Sequence, residues 1–150
     1  MITAHLPSGF VLGRAVDARG PLLLGFMAGA IFPDLDLFAF YLIDDRAVHH
    51  HRYWVHAPAF AVACIALSFG LATVFWQSGK RFVLAFGAAW ILHLLLDTIA
   101  GDIMWRWPFS TEGYSLFTIP GREGVHFLVA FLTHWTIAFE VMIWVAAIVL

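Results

Sequence analysis

The sequence predicts an all-α integral membrane protein, a bundle of about four transmembrane helices preceded by a short N-terminal helix. Of the 150 residues, 62% are hydrophobic and only 12% are charged, about half the charged fraction of an ordinary soluble domain. Apolar stretches of the roughly 20 residues that a helix needs to cross a bilayer recur along the chain. Tryptophans also fall near the ends of these stretches, as interfacial aromatic residues do. The length favours a single domain over residues 1–150.

Four stretches are long and apolar enough to span the membrane. The first is interrupted by Pro33, the second carries no charge, and the third and fourth contain acidic and histidine residues. Residues 1–20 are expected to form a short helix, which Pro7 and two glycines weaken. The start shows no basic leader ahead of an apolar core, so no cleavable signal peptide is expected. The predicted spans are residues 21–43, 57–76, 82–104 and 125–150.

The charge pattern argues against some partners. The net charge is −2 and no basic run occurs, so nucleic-acid binding is not expected. With four spans, the loops at residues 44–55 and 102–124 lie on one side of the membrane, and the basic residues divide evenly between the two sides. If Arg52 and Arg106 belong to a site, as argued below, they no longer count as signals of orientation. The remaining basic residues then favour a cytoplasmic N-terminus and a histidine-rich loop that faces outward.

Two aspartates at the end of the first span indicate a ligand-bearing turn. A carboxylate inside a membrane costs about 2.5–3.5 kcal/mol, so it usually has a partner and a function. Asp34 and Asp36 follow Pro33, whose ring disfavours a continuous helix. A break there would let both carboxylates converge, whereas an unbroken helix would point them apart. The alternative is a pair of interfacial carboxylates at the edge of a loop.

His93 and Asp97 form a second candidate pair, on the third span. Residues four apart share one face of a helix. Imidazole nitrogen and carboxylate oxygen both suit zinc or manganese. The alternative is a hydrogen-bonded polar pair between helices.

The loop after the first span contains four histidines. Three adjacent histidines cannot all point at one centre, so some of them are expected to be bystanders. We choose His51 and His56, which flank Arg52, as ligands. His49 and His50 are interpreted as ordinary polar loop residues.

These elements meet in one half of the membrane in the four-span arrangement. The end of the first span, the start of the second and the end of the third would bring their oxygen and nitrogen atoms together. Such a cluster is hard to explain without a cation, so we predict one or two divalent ions, with zinc preferred and manganese as the alternative. The predicted ligands are Asp34, Asp36, His51, His56, His93 and Asp97.

In their order along the chain, these motifs resemble the YdjM-like family of membrane-bound, metal-dependent hydrolases. The resemblance covers residues 5–109 and implies a helical protein of a bacterial-type inner membrane, with a metal centre and hydrolase activity. It also adds His5 to the metal ligands. One departure is that the family tends to have Thr-His-Ser where this chain has Val55, His56 and Ala57, so two hydroxyl groups are missing. The matching elements are His5 with Gly9, Pro33-Asp34-Leu35-Asp36, His51-Arg52 with His56, His93 to Thr98, Gly101, and Trp107-Pro108-Phe109.

The implied chemistry is hydrolysis of a phosphoester. The His-x-x-x-Asp element is also similar to that of zinc-dependent phospholipase C, which implies a lipid or lipid-like substrate at headgroup depth. Asp34 or Asp36 would accept the proton of the attacking water. Arg52 and Arg106 would bind phosphate oxygens, although Arg106 is equally explained by snorkelling to the interface.

Two other functions are compatible with the sequence. A non-enzymatic protein that binds or transports metal would need polar residues across the whole membrane, and His134 and Glu140 could continue such a path. Haem binding between His93 and His134 is less favoured, because carboxylates crowd the same region.

Overall fold

The computed structural model describes residues 1–121, 124 and 126–150, without the side chain of Phe127. Val125, where the fourth predicted span begins, lies outside them. The described residues form helices and no β-strand, which confirms the predicted all-α fold class. Seven α-helices occur in this part of the chain: α1 (His5–Ala15), α2 (Pro21–Ile31), α3 (Asp36–Leu42), α4 (Pro58–Phe75), α5 (Lys80–Asp97), α6 (Phe127–Leu132) and α7 (Ile137–Val149).

Among the described residues, two helices are long and apolar enough to cross a membrane by themselves. These are α4 and α5, and the bent pair of α2 and α3 would make a third span. Leu67, Val74 and Phe75 of α4 are 66%, 70% and 81% exposed, as expected of side chains that face lipid. Helix α7 is apolar but has 13 residues, fewer than the roughly 20 that a span needs. The predicted number of four spans therefore stays a prediction.

The third and fourth predicted spans differ from the helices observed. The third was predicted over residues 82–104, but α5 ends at Asp97, where the backbone turns and the Gly101 N–H donates to the Asp97 carbonyl at 2.7 Å. The fourth is divided between α6 and α7. Near this break, the hydroxyl of Thr133 donates to the carbonyl of Val129 at 2.8 Å, and such side-chain bonds compete with helix continuation.

The first predicted span is broken at Pro33, as predicted. Helix α2 ends at Ile31, a 3-10 turn covers Pro33–Leu35, and α3 continues at an angle of 54° to α2. Proline lacks the N–H that would continue the helical hydrogen bonds. The bend leaves Asp34 and Asp36 at the corner between the two helices.

Helix α5 lies at the centre of the bundle. It packs against α1, α2 and α4, and α7 packs against α1. A Cβ atom at Gly29 of α2 would lie 2.0 Å from the carbonyl oxygen of Phe86, so only glycine permits this approach of the two helices. Ala30 and Ala89 are buried in the same contact. Polar side chains on the inner face of α5 must therefore find partners within the protein.

Candidate metal centre

His93 and Asp97 lie on one face of α5, as their spacing predicts, and both are fully buried. His93 Nε2 lies 2.9 Å from Asp97 Oδ2. The other ring nitrogen, Nδ1, lies 2.7 Å from the carbonyl oxygen of Ala30. A carbonyl only accepts hydrogen bonds, so in the neutral ring Nδ1 carries the proton and Nε2 keeps its lone pair. Metal-binding histidines are commonly oriented by a backbone carbonyl in this way.

Three imidazole nitrogens surround one oxygen of Asp97. The Nε2 atoms of His93, His51 and His56 lie 2.9, 3.5 and 3.7 Å from Oδ2, yet this buried oxygen has no hydrogen-bond partner among the described residues. The Nε2 atoms of His93 and His56 are 3.3 Å apart. Ligands bound to one tetrahedral zinc lie roughly 3.4 Å from one another, because zinc–ligand bonds are about 2.0–2.2 Å long. The separations therefore fit a shared cation.

The N-terminal segment reaches the other oxygen of Asp97. His5 Nε2 lies 3.0 Å from Oδ1, and the His5 ring stacks on that of His93 with centroids 3.8 Å apart. The amino group of Met1 also contacts Oδ1. His5, which only the family resemblance added to the ligands, thus lies within the cluster.

The turn after α2 contributes two carboxylates with different exposure. The Asp36 side chain is 6% exposed, and its Oδ2 lies 2.8 Å from Nδ1 of His56. The Asp34 side chain is 27% exposed, and its Oδ1 lies 3.8 Å from Nε2 of His93. The break at Pro33 therefore directs both aspartates toward the histidines, with Asp36 inside the cluster and Asp34 at its edge.

Two 3-10 turns, His50–Arg52 and Trp54–His56, position the loop histidines. The indole N–H of Trp90 donates to a carbonyl of the second turn at 2.9 Å. Gly101 makes room for His51, since a Cβ atom at Gly101 would lie 2.4 Å from His51 Cε1. Burial holds the pKa of His51 well below its ordinary value of 6.5. Its ring is therefore neutral at neutral pH and keeps a lone pair for a cation.

His50, interpreted from the sequence as an ordinary polar loop residue, lies against the cluster. Its Nδ1 lies 3.5 Å from Asp36 Oδ1. A 3-10 helix has about three residues per turn, so His50 and His51 point in different directions. His50 reaches Asp36, whereas His51 reaches Asp97. His49 is exposed, and its Nδ1 accepts a hydrogen bond from the backbone N–H of His51 at 3.3 Å.

The two arginines predicted to bind phosphate lie in different places. Arg52 donates to the carbonyl of Thr111 and lines a cavity of about 340 Å³ together with His51. Arg106 forms an exposed ion pair with Glu112 and lines a different cavity of about 620 Å³. The structure therefore brings Arg52 beside the cluster and does not bring Arg106 there.

Glu140 of α7 is a supporting residue that the sequence analysis did not assign to the site. Its side chain is buried, and it accepts hydrogen bonds from the backbone N–H groups of Ile2 and Thr3, the second at 2.9 Å. The Thr3 hydroxyl donates to the same carboxylate at 2.6 Å. Glu140 thereby holds the segment that precedes His5. The only signal for this role in the sequence is an acidic residue within an apolar stretch. That signal does not identify residues 2–3 as the partners of the carboxylate.

Within the described residues, five groups of three side chains offer ligand atoms that all lie within 4.8 Å of one another. Four of these groups draw on the predicted aspartates and histidines, with His50 added. Nitrogen and carboxylate oxygen ligands suit zinc and manganese. The groups are His5, His93 and Asp97; His51, His56 and Asp97; Asp34, His56 and His93; Asp36, His50 and His56; and His49, His50 and His51.

The fold and the site define a class, that of helical membrane proteins with a buried histidine–aspartate cluster able to hold a metal ion. The chain belongs to the family of YdjM inner membrane proteins, whose profile matches residues 1–150. This confirms the family that the motifs indicated and extends the similarity beyond residues 5–109. No curated protein and no solved structure matches the chain at a significant level.

Proposed function

We propose that this protein is a membrane-bound, metal-dependent hydrolase that cleaves a phosphoester of a lipid or lipid-like substrate at headgroup depth. One observation carries the proposal. Asp97 Oδ2 is buried and surrounded by the nitrogens of three histidines, without a hydrogen bond from any described residue. A buried charge is costly unless it is paired or coordinates a metal. The amino group of Met1 pairs with the other oxygen, Oδ1, and a divalent ion is the partner that fits Oδ2.

The proposed ligands come from α5, the turn after α2, the histidine loop and the start of α1. Zinc is the preferred ion, because imidazole and carboxylate groups at these separations suit a tetrahedral site, and manganese is the alternative. A bound divalent ion supplies Lewis-acid chemistry, which lets water act as a nucleophile at neutral pH and neutralises charge on phosphoryl oxygens. The ligands are His5, Asp34, Asp36, His51, His56, His93 and Asp97.

Asp34 is the best candidate to accept the proton of the attacking water. It is the more exposed of the two aspartates after α2, at 27% against 6% for Asp36. A carboxylate at the edge of the cluster can contact both a water molecule and the solvent to which the proton passes. Asp36 lies between imidazoles and is better suited to hold a cation.

We place the phosphate group in the cavity of about 340 Å³ beside the cluster. Arg52, His51, Gly101 and Asp102 line this cavity. The Arg52 guanidinium can bind two phosphate oxygens at once. Arg106 lines a different cavity and has no part in this proposal.

An apolar pocket beside Asp34 supports a lipid substrate. The pocket has a volume of about 400 Å³, and Asp34, Leu37, Phe38, Tyr41 and Leu42 line it. The Phe38 and Leu42 side chains are 66% and 77% exposed. An acyl chain along this face of α3 would bring a phosphoester toward Asp34. We expect the site to open away from the cytoplasm, because setting Arg52 aside as a site residue leaves four basic residues on the N-terminal side against three on the other side in the four-span arrangement.

The test is turnover by the purified protein on phospholipid and polyprenyl phosphate substrates, before and after a chelator and after addition of zinc or manganese. We expect activity that the chelator removes and the metal restores. Activity should be lost in Asp97→Ala and in His93→Ala. His126→Ala, which changes an exposed histidine outside the cluster, is the matched control and should retain activity.

Turnover that persists without metal, or that both cluster variants retain, would reject the proposal. Bound metal without turnover, together with metal flux in proteoliposomes, would favour the transport alternative. The contacts of Glu140 and His134, the two residues that could continue a metal path across the membrane, argue against transport. Glu140 is held by residues 2–3, and His134 Nδ1 lies 2.9 Å from the hydroxyl of Thr136.

A further inference from the structure

We infer that the cluster contains two separate cation sites and that Asp36, His50 and His56 form the second. This inference rests on the proposed function only in that it requires a metal centre. It divides the ligands into a set around Asp97 and a set around Asp36. It also assigns a role to His50, which neither its spacing nor the family motifs indicate.

The first observation is the state of the Asp36 carboxylate. Its side chain is 94% buried, since its relative exposure is 6%. Both of its oxygens are buried, and neither has a hydrogen-bond partner among the described residues. A carboxylate in this position keeps its charge at a cost unless a cation or several hydrogen-bond donors compensate it.

The second observation is the arrangement of the histidines around Asp36. His56 Nδ1 lies 2.8 Å from Oδ2, and His50 Nδ1 lies 3.5 Å from Oδ1. Both nitrogens are buried and lack hydrogen-bond geometry to any described residue. Short separations without hydrogen-bond alignment are what ligands around a common ion show, with an expected spacing of roughly 3.4 Å around tetrahedral zinc.

The third observation is that His56 faces both carboxylates. Its Nδ1 is directed to Asp36, and its Nε2 lies 3.7 Å from Asp97 Oδ2. If Nδ1 serves the second site, the first site still has three histidines whose Nε2 atoms lie 2.9 to 3.5 Å from the oxygens of Asp97. Those histidines are His5, His51 and His93.

The second site has three protein ligands and one partly exposed wall. The His50 side chain is 20% exposed, so the site can be reached from outside. Three ligands with an open position are typical of catalytic zinc sites, whereas structural zinc sites are closed by four. The second ion would therefore be the one open to substrate, and neighbouring ions can together clamp the oxygens of a phosphoester.

The competing explanation is that Asp36 orients His56 toward a single ion at Asp97. The role of His50 separates the two explanations. A single ion at Asp97 does not need His50, because His50 contacts Asp36 and not Asp97. Two ions need it as a ligand.

The experiment measures metal content rather than activity. Full-length protein is purified in detergent, stripped with a chelator, reloaded with zinc and, after removal of excess metal, examined by elemental analysis. The variants are His50→Ala and Asp36→Asn, with His126→Ala, an exposed histidine outside the cluster, as the control. We expect two ions per chain in the wild type and in His126→Ala, and one ion in the other two.

Manganese loading provides a second measurement that does not depend on stoichiometry. Two neighbouring Mn²⁺ ions give a spin-coupled paramagnetic resonance spectrum, and His50→Ala should give the six-line spectrum of an isolated ion. Size-exclusion chromatography checks that each variant remains folded. One ion in the wild type, or two ions in both His50→Ala and Asp36→Asn, would overturn the inference. Two bound ions without hydrolysis would instead contradict the proposed function and leave the inference standing.

Discussion

Two buried carboxylates on apolar helices, Glu140 on α7 and Asp97 on α5, differ in how their oxygens are paired. Glu140 accepts hydrogen bonds with both oxygens, from two backbone N–H groups and one hydroxyl of the N-terminal segment. Asp97 Oδ1 accepts a hydrogen bond from the amino group of Met1, whereas Oδ2 faces imidazole nitrogens and has no hydrogen-bond partner in the described part of the chain. Burial is nearly the same at 3% and 0% exposure. The difference teaches that neighbouring atoms, rather than burial, separate a structural carboxylate from a candidate metal ligand.

The two carboxylates are nevertheless connected. Glu140 holds Ile2 and Thr3, and the same segment carries His5 to Asp97. The C-terminal helix therefore supports the cluster although it contributes no ligand to it.

Asp97→Asn is expected to have the largest effect on the function. The amide keeps the shape of the side chain but removes the charge that attracts a cation. Since loss of a residue that only orients a ligand costs about 10–100-fold in metal affinity or activity, we expect activity to fall more than about 100-fold. Turnover and elemental analysis measure the effect. If Asp97→Asn kept its full metal content, Asp97 would not be a metal ligand, and its contrast with the structural carboxylate of Glu140 would be wrong.

Removal of the metal should lower the stability of the fold, because an ion bound only by the native state stabilises it. At a free metal concentration 100 times Kd, this contribution is about 2.7 kcal/mol. Thermal unfolding in detergent, with and without a chelator, measures it. The stabilisation should be smaller in Asp97→Asn, which keeps only the second site proposed at Asp36, and an undiminished chelator effect there would place the ion elsewhere.

Glu140→Gln should destabilise the protein with or without metal. Glutamine offers one acceptor oxygen in place of two and directs an amide N–H toward backbone donors. A buried group left without its hydrogen bond costs about 1–3 kcal/mol. Thermal unfolding of chelator-treated protein measures this loss directly. A loss confined to the metal-loaded protein would show that Glu140 acts on the cation rather than on the N-terminal segment.

The smallest expected effect concerns the two arginines. Arg52→Ala should lower turnover by at least about tenfold, because a hydrogen bond to a charged group contributes about 1.5–3 kcal/mol and about 1.4 kcal/mol corresponds to a factor of ten in rate. Arg106→Ala should change it less than about twofold, since exposed ion pairs such as that with Glu112 contribute little. The ratio of kcat/KM values measures both. Equal losses in the two variants would contradict the assignment of the phosphate to the cavity beside Arg52.

Local rules were enough to predict much of the fold and part of the site. The apolar stretches follow from composition. The helix break follows from the proline ring of Pro33, and the shared helix face of His93 and Asp97 follows from their separation of four residues. Each of these features is set by residues close together in sequence. That the assembled residues bind a metal stays a prediction, supported by their geometry.

The sequence by itself thus determined the all-helical membrane class and most of the residues in the cluster. Only the tertiary structure decided that His50 joins Asp36, that Glu140 holds residues 2–3, and that Arg106 lies away from the cavity beside the cluster. These three facts depend on which atoms meet across distant segments. A sequence pattern does not predict such contacts between distant segments. They depend on how the helices pack, as in the close approach of Gly29 to Phe86, and on how each loop crosses the packed helices.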